Sequence, residues 1–138
     1  MAERDPATLL RLVTDEIWCK RRYDLVDELI SEDFVDHIEQ QGLDGTGRAR
    51  YLASVRLTHN AFSDYHEEIL LIVADADRAV SYVRVTGTHD GDLMGLPPTG
   101  RKIDMHAMGI LRFADGKVVE RWAVGDSLTQ MQQLGLLG

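Results

Sequence analysis

Near Asp64 the spacing of apolar residues changes from about 3.6 to about 2, and this change restricts the fold more than any single motif does. Upstream, Asp5-Pro6 reads as a helix start, with proline at an early position where its missing N–H costs nothing. Leu9, Leu10, Leu12, Val13, Ile17 and Trp18 then recur at helical spacing. Tyr23, Leu25, Val26, Leu29 and Ile30 make a second, short helix, ended by the turn and short strand of SEDFVDHIE. GLDGTGRARYLASVRLTHNAF reads as a glycine-rich connection and a third helix carrying Tyr51, Leu52, Val55 and Leu57. Downstream, YHEEILLIVADADRAVSYVRVTGTHDG reads as two strands joined by a tight turn at 74–77. KIDMHAMGILRF, ADG and KVVERWAV form a long hairpin, and DSLTQMQQLGLLG a short last helix capped by Asp126 or Ser127. Helices first and a meander of long strands after them define an α+β architecture. The expected form is a cone-shaped half-open barrel, a curved antiparallel sheet packed on the N-terminal helices with a pocket at one end. Residues 1–138 show no repeat, linker or low-complexity tract and read as one domain.

At 138 residues the chain can bury about two thirds of its unfolded surface. Its net charge of −8, without a basic stripe, argues against nucleic acid as a partner. One cysteine, Cys19, leaves no internal disulfide and no multi-cysteine zinc site. MAERDPATLL lacks the apolar stretch of a secretory signal. No run approaches the ~18 apolar residues of a membrane helix. A soluble cytoplasmic protein is expected. His37, His59, His66, His89 and His106 lack a metal-binding spacing such as H-E-x-x-H, so no metal is expected. GLDGTGR fits neither the phosphate-binding loop nor the dinucleotide fingerprint.

The loop THDGDLMGLPPTGR reads as a lid between His89 and the strand that carries His106. With Ala114-Asp115-Gly116 as a three-residue turn, Phe113 pairs with Lys117, Met108 faces Trp122 and His106 faces Val124. His106, Met108, Trp122, Val124 and Asp126 then share one face. His106 and Asp126 become diagonal neighbours about 7–8 Å apart. On a mostly apolar wall such a pair suits proton transfer, because burial raises a carboxyl pKa towards neutrality. A two-residue turn would instead shift the register and send His106 to the other face. Simpler roles compete: Asp126 as a helix cap, His106 as a satisfied core histidine, Trp122 as packing. Arg112 and Glu120 read as a cross-strand ion pair.

GTHDG, GLPPTG, RFADGKVVERW and an aspartate followed by QQLG stand in an order that resembles the SnoaL-like polyketide cyclases (ester cyclase-like), of the nuclear-transport-factor-2-like superfamily. FVDHIE is similar to that family's histidine-bearing stretch. The resemblance implies a deep apolar pocket, a homodimer formed through the sheet, and ring closure of an aromatic polyketide by an intramolecular aldol reaction. It implies no metal and no organic cofactor. The family's proton-shuttling aspartate corresponds to Asp126; His106, which the hairpin register places beside it, is read as its catalytic companion, and His106, His37 and His89 as candidate donors. His37, His89, Trp122, Met108 and Trp18 are the candidate contacts to a small apolar substrate. A removable proton between two carbonyl groups is already acidic, so one carboxyl group and a few donors to the enolate can suffice.

Rival functions are a binding module for a hydrophobic ligand, an interaction domain using Tyr82 and Arg84 on its sheet, and another superfamily activity such as hydrolase, isomerase or dehydratase. A hydrolase of epoxides would need a second carboxylate, for which Asp104 is the candidate.

Overall fold

A computed structural model describes residues 4–38, 43 and 45–137. Glu39 of FVDHIE and positions 42 and 44 of the glycine-rich connection lie outside the described residues. Asp5 caps the first helix, α1 (Pro6–Leu12), its Oδ1 accepting the Thr8 N–H at 2.8 Å. The helix runs on as a π-helical turn over Val13–Cys19, closed by the Lys20 N–H on the Asp15 carbonyl at 3.0 Å. Leu9, Leu10, Val13 and Ile17 are all buried on one side of this rod. A 3₁₀ turn (Tyr23–Leu25) and α2 (Val26–Leu29) together replace the expected second helix. They lead into β1 (Ile30–Asp36), and α3 spans Gly47–Ala61.

β2 (His66–Ala74), β3 (Arg78–Thr88), β4 (Lys102–Ala114) and β5 (Lys117–Gly125) follow as an antiparallel meander, and α4 is Ser127–Gln133. The α+β expectation holds, with one addition. The sheet order is β1-β5-β4-β3-β2, and β1 lies parallel to β5, which makes the curved, unclosed sheet mixed. That pairing joins Ile30 to Val118 across the whole middle of the chain, a contact no local pattern announces.

The β4–β5 hairpin differs from the expected register. Ala114 pairs with Lys117, leaving a two-residue turn of Asp115 (φ 53°) and Gly116 (φ 74°). Positive φ at both central residues is the type I′ geometry that matches strand twist. A bulge follows: Phe113 pairs with Val118, but Arg112 with Glu120. Met108 therefore faces Val124, and Ile110 faces Trp122. The net slip is two residues, so His106, Met108, Trp122 and Val124 still share a face.

It is the outer face. Ile103 and Leu111 are buried under the helices, whereas Asp104, His106 and Met108 are exposed. The charged residues of the even-numbered set keep that side in water, where ions are well solvated. Two clusters hold the inner side. One gathers α1, α3 and β5 around Leu10, Ile17, Tyr51, Val55 and Val118. The other packs Phe62, Val83, Val85, Ile103 and Leu134 together. Each fully buried aliphatic side chain contributes about 1.5–3 kcal/mol by leaving water.

Candidate active site

A cavity of about 370 Å³ lies between the helices and the inner face of the sheet, and residues of both clusters line it. Val83, Val85, Ile103, Met105, Ala107 and Leu111 give the sheet wall. The alternation of β3 and β4 dictates this, since those residues fall on the inward positions. Leu10, Val13 and Trp18 from the first rod, and Tyr51, Leu57 and Phe62 from α3 onwards, form the opposite wall. Leu93 and Met94, from the expected lid, line it too. Their turn is closed by reciprocal backbone hydrogen bonds between Leu93 and Leu96 at 3.0 and 2.8 Å.

Few polar groups enter this apolar hollow. The Trp18 indole N–H donates to the Tyr51 hydroxyl at 2.8 Å, and burial pushes the Tyr51 phenol up to about 12. Arg121, almost wholly buried, donates to both Asp36 oxygens at 3.2 and 2.6 Å and to Ser54 Oγ at 3.3 Å. Desolvation is the largest single influence on Asp36 and pushes its pKa up, but the bonds and charges of Arg121 and Arg50 and the Ile38 N–H outweigh it. The net shift is downwards, so Asp36 is an ionised partner that neutralises Arg121.

Glu67, which the sequence reading left aside, also lines the cavity. It pairs with Val85 across the β2–β3 ladder and so shares its inward face. The Tyr65 hydroxyl donates to its Oε1 at 2.5 Å. Burial drives the Glu67 carboxyl above the usual range, only partly offset by the Tyr65 bond and the positive charge of Arg121. The signal was present in the paired glutamates of YHEEIL: at period two, one of them must face inwards.

The sequence-derived candidates divide. Trp18 and Met108 line the cavity, although Met108 remains 45% exposed. The backbone brings His106 and Asp126 together, the Asp126 N–H donating to the His106 carbonyl at 3.1 Å. They meet outside the hollow. His106 is exposed and stacked on Tyr82 at 5.3 Å. The expected rise of the Asp126 pKa is corrected: its exposed carboxyl caps α4, accepting from Thr129 Oγ1 at 2.7 Å and Thr129 N–H at 3.1 Å. Those bonds hold it below the usual carboxylate range. Its neighbours Gly125 and Gln130 do line the cavity, so Asp126 stands beside the lining.

His37 and Trp122 stack on each other at 4.6 Å outside the lining, and His37 also bonds Glu120 at 2.8 Å. Glu120 completes the expected ion pair with Arg112 at 2.5 Å. His89 is fully buried without lining the cavity. Its Nδ1 accepts the Thr99 N–H at 3.2 Å, and its main chain bonds Arg101 and Gly100, so it clamps the base of the 89–101 loop. Asp104 is exposed and paired with Arg84 at 2.8 Å, away from the cavity. Among the described residues, no helix is long and apolar enough to cross a membrane, and no group of three His, Cys, Asp or Glu could hold a metal ion.

Residues 8–134 match the SnoaL-like polyketide cyclase family. The nogalonic acid methyl ester cyclase of Streptomyces nogalater is 28% identical over 115 residues, which cover 83% of this chain and 86% of that protein. IdmH, a candidate polyketide cyclase from Streptomyces antibioticus, is 29% identical, with a TM-score of 0.80 over 96% of this chain and 99% of its own. AclR, a candidate hydroxylase from Streptomyces galilaeus, is 31% identical, with a TM-score of 0.80 over 96% and 97% of the two chains. Sequence motifs, fold and pocket agree: this chain belongs to the SnoaL-like polyketide cyclase family.

Proposed function

We propose that the chain is an acid/base enzyme that closes a ring in an apolar, polyketide-like carbonyl compound by an intramolecular aldol reaction, without a cofactor. The observation that carries this reading is the largely apolar cavity of about 370 Å³, which contains a few convergent polar groups. Such a cavity folds a flexible substrate and brings its reacting carbons together, which supplies rate through proximity. Asp126, which stands beside the cavity-lining Gly125 and Gln130, is the proton acceptor in this proposal. Held ionised by Thr129, it is a weak base and therefore suits only a carbon acid already activated by two carbonyl groups. His106, near enough for its charge to favour the ionised Asp126, is the exposed neighbour to which this proposal gives the relay of the proton to water.

The test is ring closure of nogalonic acid methyl ester, the compound in the relative's name, followed by chromatography. Asp126→Asn keeps most of the cap and is expected to lose about 10²–10⁴-fold in kcat. Undiminished turnover overturns the role of Asp126.

One observation favours a second reading, a binding module that releases its ligand unchanged. Both Asp126 oxygens are already occupied by Thr129, as expected of a cap alone. Recovery of intact ester from a tight complex would select that reading.

A homodimer is part of the proposal. Leu71, Tyr82, Met108 and Val124 are successive cross-strand partners and form an apolar row over the outer face of four strands. Val73, Val80, Ile110 and Trp122 form a second row beside it. A second copy would cover both.

A further inference from the structure

The cavity contains a carboxyl group without a counter-ion. Arg121 is the cation nearest in influence to Glu67, but both Asp36 oxygens already engage it, at 3.2 and 2.6 Å. Tyr65 occupies Glu67 Oε1, and no described residue bonds Oε2. Oε2 is not sealed in the protein interior, because His89 Nε2 is the sole buried side-chain polar atom without a partner among the described residues. Apolar walls and the absence of an ion-pair partner favour the neutral acid, which has one O–H to give. Two nearby donors are spent: the Trp18 N–H on Tyr51, and the Tyr65 O–H on Glu67 itself.

We propose that Glu67 is a carbonyl-oxygen site, its neutral carboxyl donating a hydrogen bond from Oε2 to a ketone or ester oxygen of a ligand in the cavity. The assignment rests on the reading of the cavity as a place for apolar carbonyl compounds. A neutral acid at such a position polarises the carbonyl and meets charge that develops on its oxygen. No covalent bond to the protein is made. The ionisable groups facing Glu67 are Tyr65, Tyr51, Arg121, His66 and Cys19, and the Cys19 thiol already bonds the Glu67 main-chain carbonyl at 3.4 Å.

Two probes of nearly equal shape separate the hydrogen bond from hydrophobic burial: 2-acetylnaphthalene and 2-ethylnaphthalene, titrated by fluorescence. The wild type is expected to bind the ketone about tenfold more tightly than the hydrocarbon near neutral pH. Glu67→Leu should abolish that preference while leaving hydrocarbon affinity within about twofold. Glu67→Gln keeps an N–H donor and should retain part of the preference. Raising the pH should erode the preference in the wild type, as Glu67 ionises, and not in Glu67→Gln. Equal affinities for the two probes in the wild type, or a ketone preference that survives in Glu67→Leu, overturn the Glu67 site and leave the apolar cavity standing. Binding of neither probe overturns both the site and the proposed function.

Discussion

Asp36, Glu67 and Asp126 share one functional group and meet three surroundings. Asp36 is enclosed beside two arginines, Asp126 stands in water on a helix cap, and Glu67 faces an apolar hollow. The first two are held ionised and the third is driven towards its neutral form. Carboxyl groups pushed apart in this way are suited to different roles in proton chemistry. The raised Glu67 pKa has a consequence for stability. Between the ordinary glutamate pKa and the raised one, the folded chain keeps a proton that the unfolded chain releases, so this group stabilises less as pH rises. Glu67→Gln removes the effect. Its melting temperature, relative to wild type, should be higher at pH 8 than at pH 5. A constant difference across that range would mean that Glu67 titrates normally in the fold. Asp126 was legible in the sequence because a cap leaves a local signature. Glu67 was not, because only the register of β2 against β3 decides which of Glu67 and Glu68 faces inwards.

Elements were easier to recognise than their alignment. The change of period near Asp64, the Asp5-Pro6 start and the hairpin at ADG are all local patterns, and the helices and strands lie where those patterns put them. The β4–β5 register was misassigned for a physical reason. Asp-Gly favours a two-residue type I′ turn, and a bulge beside Arg112 then restores the parity that this turn would have broken. Two compensating shifts leave no trace in residue spacing. The charged even-numbered positions were the better guide to the wet side. At the base of the 89–101 loop, Gly91 is fixed by geometry: a Cβ there would lie 1.8 Å from the Asn60 carbonyl oxygen at the end of α3. Gly91→Ala must push the loop off α3 and break the Gly91 N–H bond to Ala61, 3.1 Å in length. We expect a loss of about 2–3 kcal/mol in urea unfolding, with weaker binding of naphthalene probes because Leu93 and Met94 move with the loop. Wild-type stability in this variant would show that the contact yields easily.

For the whole molecule, the two apolar rows on the outer face are the feature that the isolated chain leaves unexplained. Leu71, Val73 and Val124 are 58%, 60% and 73% exposed, more than a monomer gains from. Light scattering should give the mass of a dimer. The pair Leu71→Glu and Val73→Glu, neither of which lines the cavity, should shift it to that of a monomer while naphthalene binding in the hollow persists. A wild type that stays monomeric at high concentration would remove the second copy from the proposal.

The π turn at Val13–Cys19 sets how this scaffold tolerates changes in length. It fits one more residue into a turn than an α-helix does, and successive α-helical residues are rotated by about 100°. Loss of a single codon within the turn would therefore restore regular winding and leave Trp18 near its present bearing on the hollow, with every strand left in place. A one-residue change in length is thus absorbed in this short segment without rebuilding the sheet.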